Sequence, residues 1–322
     1  MSKLTKMPKL ASKLKSPKPN LIILPDMSDI KYFKTPGTEK SNNDEYNKIR
    51  ENIITTINHL TPEYFDDLAY GEDWTTIRSK FMTSISTLCN DPFHSIKIKH
   101  MGGMSYNYDF ILSFLDESTS IIKTVKLEFK HNNSNVADLV QFLELYDKDC
   151  KGKYEICQEM SYSEFYYHNF LDSYLDTDEE LNYPRPDKDI YLRRVYDIKY
   201  ENLFFKKLHD NKNNKVKEKK TIANRSVKEY LEKYSDTFKF DKITEKIKES
   251  QTDKVFLLWD CENFHIQILN VEDIRITGII KKSDLYFDVN VENFQYNIRV
   301  RLNWGNSNGL CNPRWKFSFI QK

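Results

Sequence analysis

Apolar residues recur at helical spacing between Asp44 and Leu60, where Tyr46, Ile49, Ile53, Ile57 and Leu60 share one stripe. Trp74, Ile77, Phe81, Ile85 and Leu88 repeat the pattern. A 3.6-residue period with polar residues on the opposite face predicts two amphipathic helices. The period then falls to two, through Tyr106, Tyr108, Phe110, Leu112 and Phe114 and again through Val125, Leu127 and Phe129. Two strands are expected there, joined by a four-residue loop at Glu117 to Ser120. Asn132 to Asn135 offers capping side chains, and Val136, Leu139, Val140, Leu143 and Tyr146 then predict a third helix. The order so far is helix, hairpin, helix.

Residues 151–250 read as mostly helical and polar, interrupted by Tyr183-Pro-Arg-Pro186 and by the lysine-rich run Lys206 to Lys220. Val255 to Trp259 is an uninterrupted apolar run of the buried-strand type. Alternating segments follow at His265 to Leu269, Arg275 to Ile280, Leu285 to Val291, Asn297 to Trp304 and Arg314 to Ile320. The division that results is a basic tail at 1–40, a core at 41–150, a mostly helical insertion at 151–250 and a β-rich part at 251–322, packed on the core sheet or extending it.

Composition narrows the classes. The chain has 322 residues, enough for a sizeable buried core, and its 14% aromatic content compensates for an apolar fraction of 39%. No apolar run approaches the roughly 20 residues of a membrane helix, so no membrane partner is expected. The N-terminal 20 residues hold six lysines, three prolines and no acid, and lack the apolar stretch of a secretory leader. An intracellular location, cytoplasm or nucleus, follows. Five scattered cysteines without a CxxC pair argue against disulfides and structural zinc; Cys261 with His265 is the best metal-like spacing, and packing of a buried thiol is the better account of it.

Chemistry concentrates in the hairpin. A strand that turns Val125, Leu127 and Phe129 inward presents Lys126, Glu128 and Lys130 on its other face. With the loop at Glu117 to Ser120, antiparallel pairing sets Asp109 opposite Glu128 and Asn107 opposite Lys130. Like charges directly across a ladder are destabilising unless something offsets them, and a divalent cation would. Mg²⁺ takes one or two carboxylates plus water and substrate phosphate, and a neighbouring lysine can serve the attacking water. Such a group of residues suits phosphodiester hydrolysis.

Asp109, then 18 residues, then Glu128-Phe129-Lys130 within a strand, resembles the PD-(D/E)xK nuclease superfamily. The resemblance covers residues 44–147, with Val255 to Trp259 as a further sheet strand. It implies an α/β, restriction-endonuclease-like mixed sheet flanked by helices. It also implies that Asp109 and Glu128 hold Mg²⁺, for which Mn²⁺ substitutes, with the Phe129 carbonyl, while Lys130 acts on the water. Tyr108 stands where the family often has a proline. An upstream helical acid is supplied by Glu45 or Glu51, and Gln141 is an accessory candidate on the following helix. Of six acid-x-Lys triplets in the chain, only Asp197-Ile198-Lys199 rivals the one at Glu128, and it lacks a preceding hairpin.

A second feature is the last strand pair, where Arg299, Arg301, Arg314 and Lys316 alternate with buried-type residues. That cationic face suits a phosphate backbone or, equally, a solvated exterior. The expected function is therefore a Mg²⁺-dependent nuclease, an endonuclease acting on DNA, with a homodimer as one assembly. The alternatives are a catalytically inactive module of the same fold that binds nucleic acid or protein, and a nuclease directed at RNA.

Overall fold

The computed structural model describes residues 30–34, 43–66, 70–101, 107–150, 155–177, 185–193, 206, 217–304 and 313–322. The helices, in chain order, are α1 (Lys31–Lys34), α2 (Asn43–Ile57), α3 (Gly71–Ser86), α4 (Tyr162–Asn169), α5 (Leu171–Leu175), α6 (Lys188–Tyr191), α7 (Lys217–Tyr234) and α8 (Phe240–Gln251). The strands are β1 (Ser95–His100), β2 (Phe110–Leu115), β3 (Ile121–His131), β4 (Leu143–Tyr146), β5 (Lys254–Trp259), β6 (Phe264–Ile268), β7 (Arg275–Lys282), β8 (Tyr286–Glu292), β9 (Tyr296–Trp304) and β10 (Pro313–Gln321). They form two five-stranded sheets. One runs β1-β2-β3-β5-β6 and is antiparallel except for the parallel β3/β5 pair; the other runs β4-β10-β9-β8-β7 and is antiparallel throughout. Helices flank both, and the class is mixed α/β.

The first sheet lies between two apolar cores, which explains the uninterrupted run in β5. Val255, Leu257 and Trp259 join Ile53, Ile57, Trp74, Ile77, Phe81 and Ile85 from α2 and α3 on one face. Phe256 and Leu258 join the second sheet and the residues of α4, α7 and α8 on the other. A strand covered on both faces has no polar alternation to display. Gly71 opens α3 because the chain passes close by: a Cβ there would stand 1.9 Å from the Phe65 carbonyl oxygen.

Within the expected 1–40 tail, residues 30–34 are not tail-like. Phe33 is fully buried against Trp74 and Trp259, and its carbonyl accepts the Trp259 indole N–H at 2.7 Å. The rest of that segment, like most of the Lys206 to Lys220 run, Asp197 to Lys199, Gly102 to Tyr106 and Cys311, lies outside the described residues. Among the described residues Cys89, Cys150, Cys157 and Cys261 are free thiols. The β-rich part does two things at once: β5 and β6 extend the first sheet, and β7 to β10 build the second.

Two elements correct the sequence reading. The third helix is absent: Val136–Asp138 is one turn of 3-10 helix, and Leu143–Tyr146 is β4, paired with β10. Val140, on the expected apolar stripe, is 89% exposed, while Phe142, off that stripe, stacks on Phe319 at 3.9 Å. Tertiary pairing with β10 outweighs local helical spacing. Strand β1 was not anticipated, because its period-two signal is only Ile96 and Ile98 between lysines.

The junction between β4 and the helices rests on Asp147, which is 2% exposed and accepts from the Ser163 N–H (2.7 Å), the Ser163 hydroxyl (2.6 Å) and the Trp315 indole (2.8 Å). Asp147→Ala strands three buried donors, each costing about 1–3 kcal/mol when unpaired. A loss of about 3 kcal/mol or more is expected in urea unfolding; an unchanged midpoint would show that water replaces the carboxylate.

Candidate active site

The β2–β3 ladder ends at the Phe110–Leu127 pair, and just beyond it the Asp109 N–H donates to the Leu127 carbonyl at 2.9 Å, which holds Asp109 against β3 close enough to Glu128 for the two carboxylates to repel. A bulge between Phe114 and Leu115 absorbs the extra loop residue without moving that register. Asn107 has left the ladder: its amide donates to the Ser250 carbonyl at 2.6 Å. The Phe129 N–H donates to Asp109 Oδ2 at 2.8 Å, fixing the aspartate against β3.

Glu128 is 9% exposed and holds two lysines, Lys130 at 2.7 Å from Oε1 and Lys254 at 2.5 Å from Oε2. Lys254, the first residue of β5, is brought beside Glu128 by the parallel β3/β5 register, which pairs Lys126 with Lys254 and Glu128 with Phe256. The sequence reading missed it. A lysine preceding an apolar run carries no distinguishing signal until the neighbour of β5 is known.

Burial pushes the Asp109 carboxyl up to about 6, with Glu128 and Glu51 adding repulsion and Lys130 opposing them. Burial also works to raise Glu128, but the two lysines outweigh it and hold that carboxyl below the usual range. Burial works to lower Lys130, and Glu128 with Asp109 reverses this and raises it. For Lys254 burial prevails over the pull of Glu128, and its ammonium is lowered. One cluster thus holds an acid that resists ionising beside an acid clamped in its charged form.

Of the two upstream acids, Glu51 acts electrostatically on Asp109 and Lys130, whereas Glu45 is an exposed residue on the same helix. Glu51 Oε2 is 2.8 Å from His100 Nε2, from β1, and this hydrogen bond raises the His100 pKa against the effect of burial. A His whose folded pKa is raised contributes stability below its unfolded pKa and loses it as pH rises through the folded one. An NMR titration should therefore place His100 above the ordinary 6.5, and Glu51→Gln should bring it down. An unmoved midpoint in the variant would remove Glu51 as the cause.

The cluster opens into a cleft of about 1410 Å³, bounded opposite by residues 138–146 and by the end of α8. Its lining carries six acids (Asp109, Glu128, Asp138, Glu144, Asp149, Glu249) and three lysines (Lys130, Lys246, Lys254), with Glu249 paired to Lys246 and Glu128 to the other two. Gln141 lines this cleft from a loop, not from a helix; its Nε2 donates to Glu144 at 3.3 Å and its buried Oε1 has no partner.

The C-terminal cationic face alternates as expected, with Val300, Leu302, Trp315 and Phe317 buried beneath it. Its charge is largely answered within the protein. Arg299 makes a two-pronged pair with Asp288 (2.8 and 3.0 Å), and Glu144 takes both Arg314 and Lys316. Arg301 is exposed over the Tyr286 ring. Three of the four cations of this face, Arg299, Arg314 and Lys316, are therefore ion-paired within the protein. Cys261 and His265 do not converge on a metal: His265 bonds Asp260 at 2.6 Å and Cys261 lies 3.8 Å from His131.

Among the described residues no three His, Cys, Asp or Glu side chains are grouped as ligands for a metal. Asp109 and Glu128 still suit Mg²⁺ or Mn²⁺ in kind, since they are hard oxygen donors and two carboxylates with water and phosphate make an accepted set. No described helix is long and apolar enough to cross a membrane. No protein-family model matches the chain, and no curated protein matches it.

Proposed function

We propose that the protein is a metal-dependent phosphodiesterase acting on nucleic acid. More particularly, it is read as a PD-(D/E)xK nuclease, with DNA as the favoured substrate and endonucleolytic cleavage. The observation that carries this is the nearness of Asp109 and Glu128 at the end of one hairpin, Asp109 held by the Phe129 N–H, with Lys130 ion-paired to Glu128. The mixed β1-β2-β3-β5-β6 sheet with flanking helices supports it, since the resemblance to the nuclease superfamily implies a mixed sheet flanked by helices.

Asp109 and Glu128, helped by the Phe129 carbonyl, would hold Mg²⁺, which when bound supplies charge neutralisation at the phosphate and a more acidic water. Asp109 is positioned for this by the Phe129 N–H, and its carboxyl, raised to about 6, is ionised above that pH. Lys130 holds Glu128 in its charged form and stands ready to bond the attacking water or the growing phosphate charge. The cleft around them leaves room for a nucleic-acid strand beside Asp109, Glu128 and Lys130.

A second reading has its own observation. Each Glu128 oxygen is already held by a lysine, as in a purely structural ion pair, which favours a non-catalytic binding module. Incubating the protein with plasmid, linear duplex, single-stranded DNA and RNA, each with Mg²⁺, Mn²⁺ or chelator, separates these. Cleavage of DNA abolished by chelator is expected. Cleavage confined to RNA would redirect the substrate, and binding without cleavage would favour the module.

A further inference from the structure

Lys254 is the least accounted-for charged group of the cluster. It is 3% exposed, and its Nζ lies 2.5 Å from Glu128 Oε2, 3.2 Å from the Asn107 carbonyl and 5.1 Å from the Phe256 ring centroid. An acid, a main-chain carbonyl and an aromatic face thus hold one ammonium inside the protein, and Asn107 is itself tied to the end of α8 through Ser250. Lys130, by contrast, has a side chain 33% exposed and shares only the other oxygen of Glu128.

The contrast has a chemical consequence. Many phosphodiesterases use two metal ions about 3.5–4 Å apart, one at the attacking oxygen and one at the leaving oxygen, sharing a carboxylate between them. Here Glu128 has one oxygen that Lys130 can release toward solvent and one that Lys254 cannot. A divalent ion on the second oxygen would meet a buried ammonium at contact distance, and like charges in such surroundings repel strongly. Resting on the nuclease reading above, we infer that Lys254, buried and seated 2.5 Å from Glu128 Oε2, occupies the place of a second cation, so that the cluster takes a single divalent ion per chain, with Asp109 and Glu128.

The test counts ions on the full chain with Mn²⁺ alone as the probe, following loss of the free Mn²⁺ paramagnetic resonance signal. Wild type is expected to bind one Mn²⁺ that Asp109→Asn removes. Lys254→Met keeps the length and removes the charge; it is expected to admit a second ion or to tighten the first at least tenfold. Lys254→Arg, which keeps a cation, is expected to hold the count at one. Thermal unfolding reports whether each variant is folded, and the wild-type count stands without them. Two Mn²⁺ in wild type, both lost in Asp109→Asn, would overturn the inference while leaving the nuclease reading intact, as would a folded Lys254→Met with unchanged count and affinity. No Mn²⁺ sensitive to Asp109→Asn would instead remove the nuclease reading, and this inference with it.

Discussion

Asp109→Asn is expected to abolish metal-dependent cleavage, with a loss of at least about a hundredfold, while leaving the protein folded. The substitution keeps an acceptor for the Phe129 N–H but removes the charge that would face the cation. Loss of several kcal/mol of transition-state stabilisation from a metal site corresponds to about a hundredfold or more at 1.36 kcal/mol per decade. Stability should move the other way. A carboxyl raised from 3.8 to about 6 on folding costs stability progressively as pH climbs through that window, and the cost persists above it. At pH 8 the amide escapes this cost, so the variant should melt at or above the wild-type temperature. Rates of cleavage and melting curves on the same preparation check both halves. Undiminished cleavage would remove Asp109 from the site.

Glu128→Ala is expected to destabilise the protein by about 3–5 kcal/mol, the usual cost of breaking a buried ion pair from one side. It leaves Lys254 buried without its acid and frees Lys130 as well. The two lysines on Glu128 make its loss structural as well as chemical. Activity lost in Glu128→Ala is therefore ambiguous between chemistry and unfolding, which is why Asp109→Asn is the cleaner test. Adding Lys254→Met to Glu128→Ala removes the orphaned charge and should recover most of the lost stability in urea unfolding. A single variant as stable as wild type would mean that the lysine reaches water or gives up its proton at little cost.

Much of this molecule is legible along the chain. The stripes of α2 and α3, the β2–β3 hairpin and strands β5 to β10 follow from apolar spacing, because one-sided burial imposes a period of 3.6 on a helix and two on a strand. The Phe110–Leu127 register, which brings Asp109 near Glu128, follows from loop length and antiparallel pairing, both local quantities. Glu51 was one of two candidates on a helix whose rotation about its axis the sequence does not fix finely enough to choose.

Tertiary structure decided what depends on partners distant in sequence. Leu143 to Tyr146 carries helical spacing but becomes β4, because β10, some 170 residues later, offers it a ladder and Phe319 a ring to stack on Phe142. Arg314 and Lys316 look like a free basic face until β4 brings Glu144 between them. Lys254 reaches Glu128 only because β5 runs parallel to β3 after a long excursion through the helices, and the order of strands in a sheet is set by packing. The amino-acid pattern therefore determined most of the elements and the neighbourhood of the two acids, whereas the assembled sheets determined β4 and which charges each acid meets, since such pairing needs distances that no local period encodes.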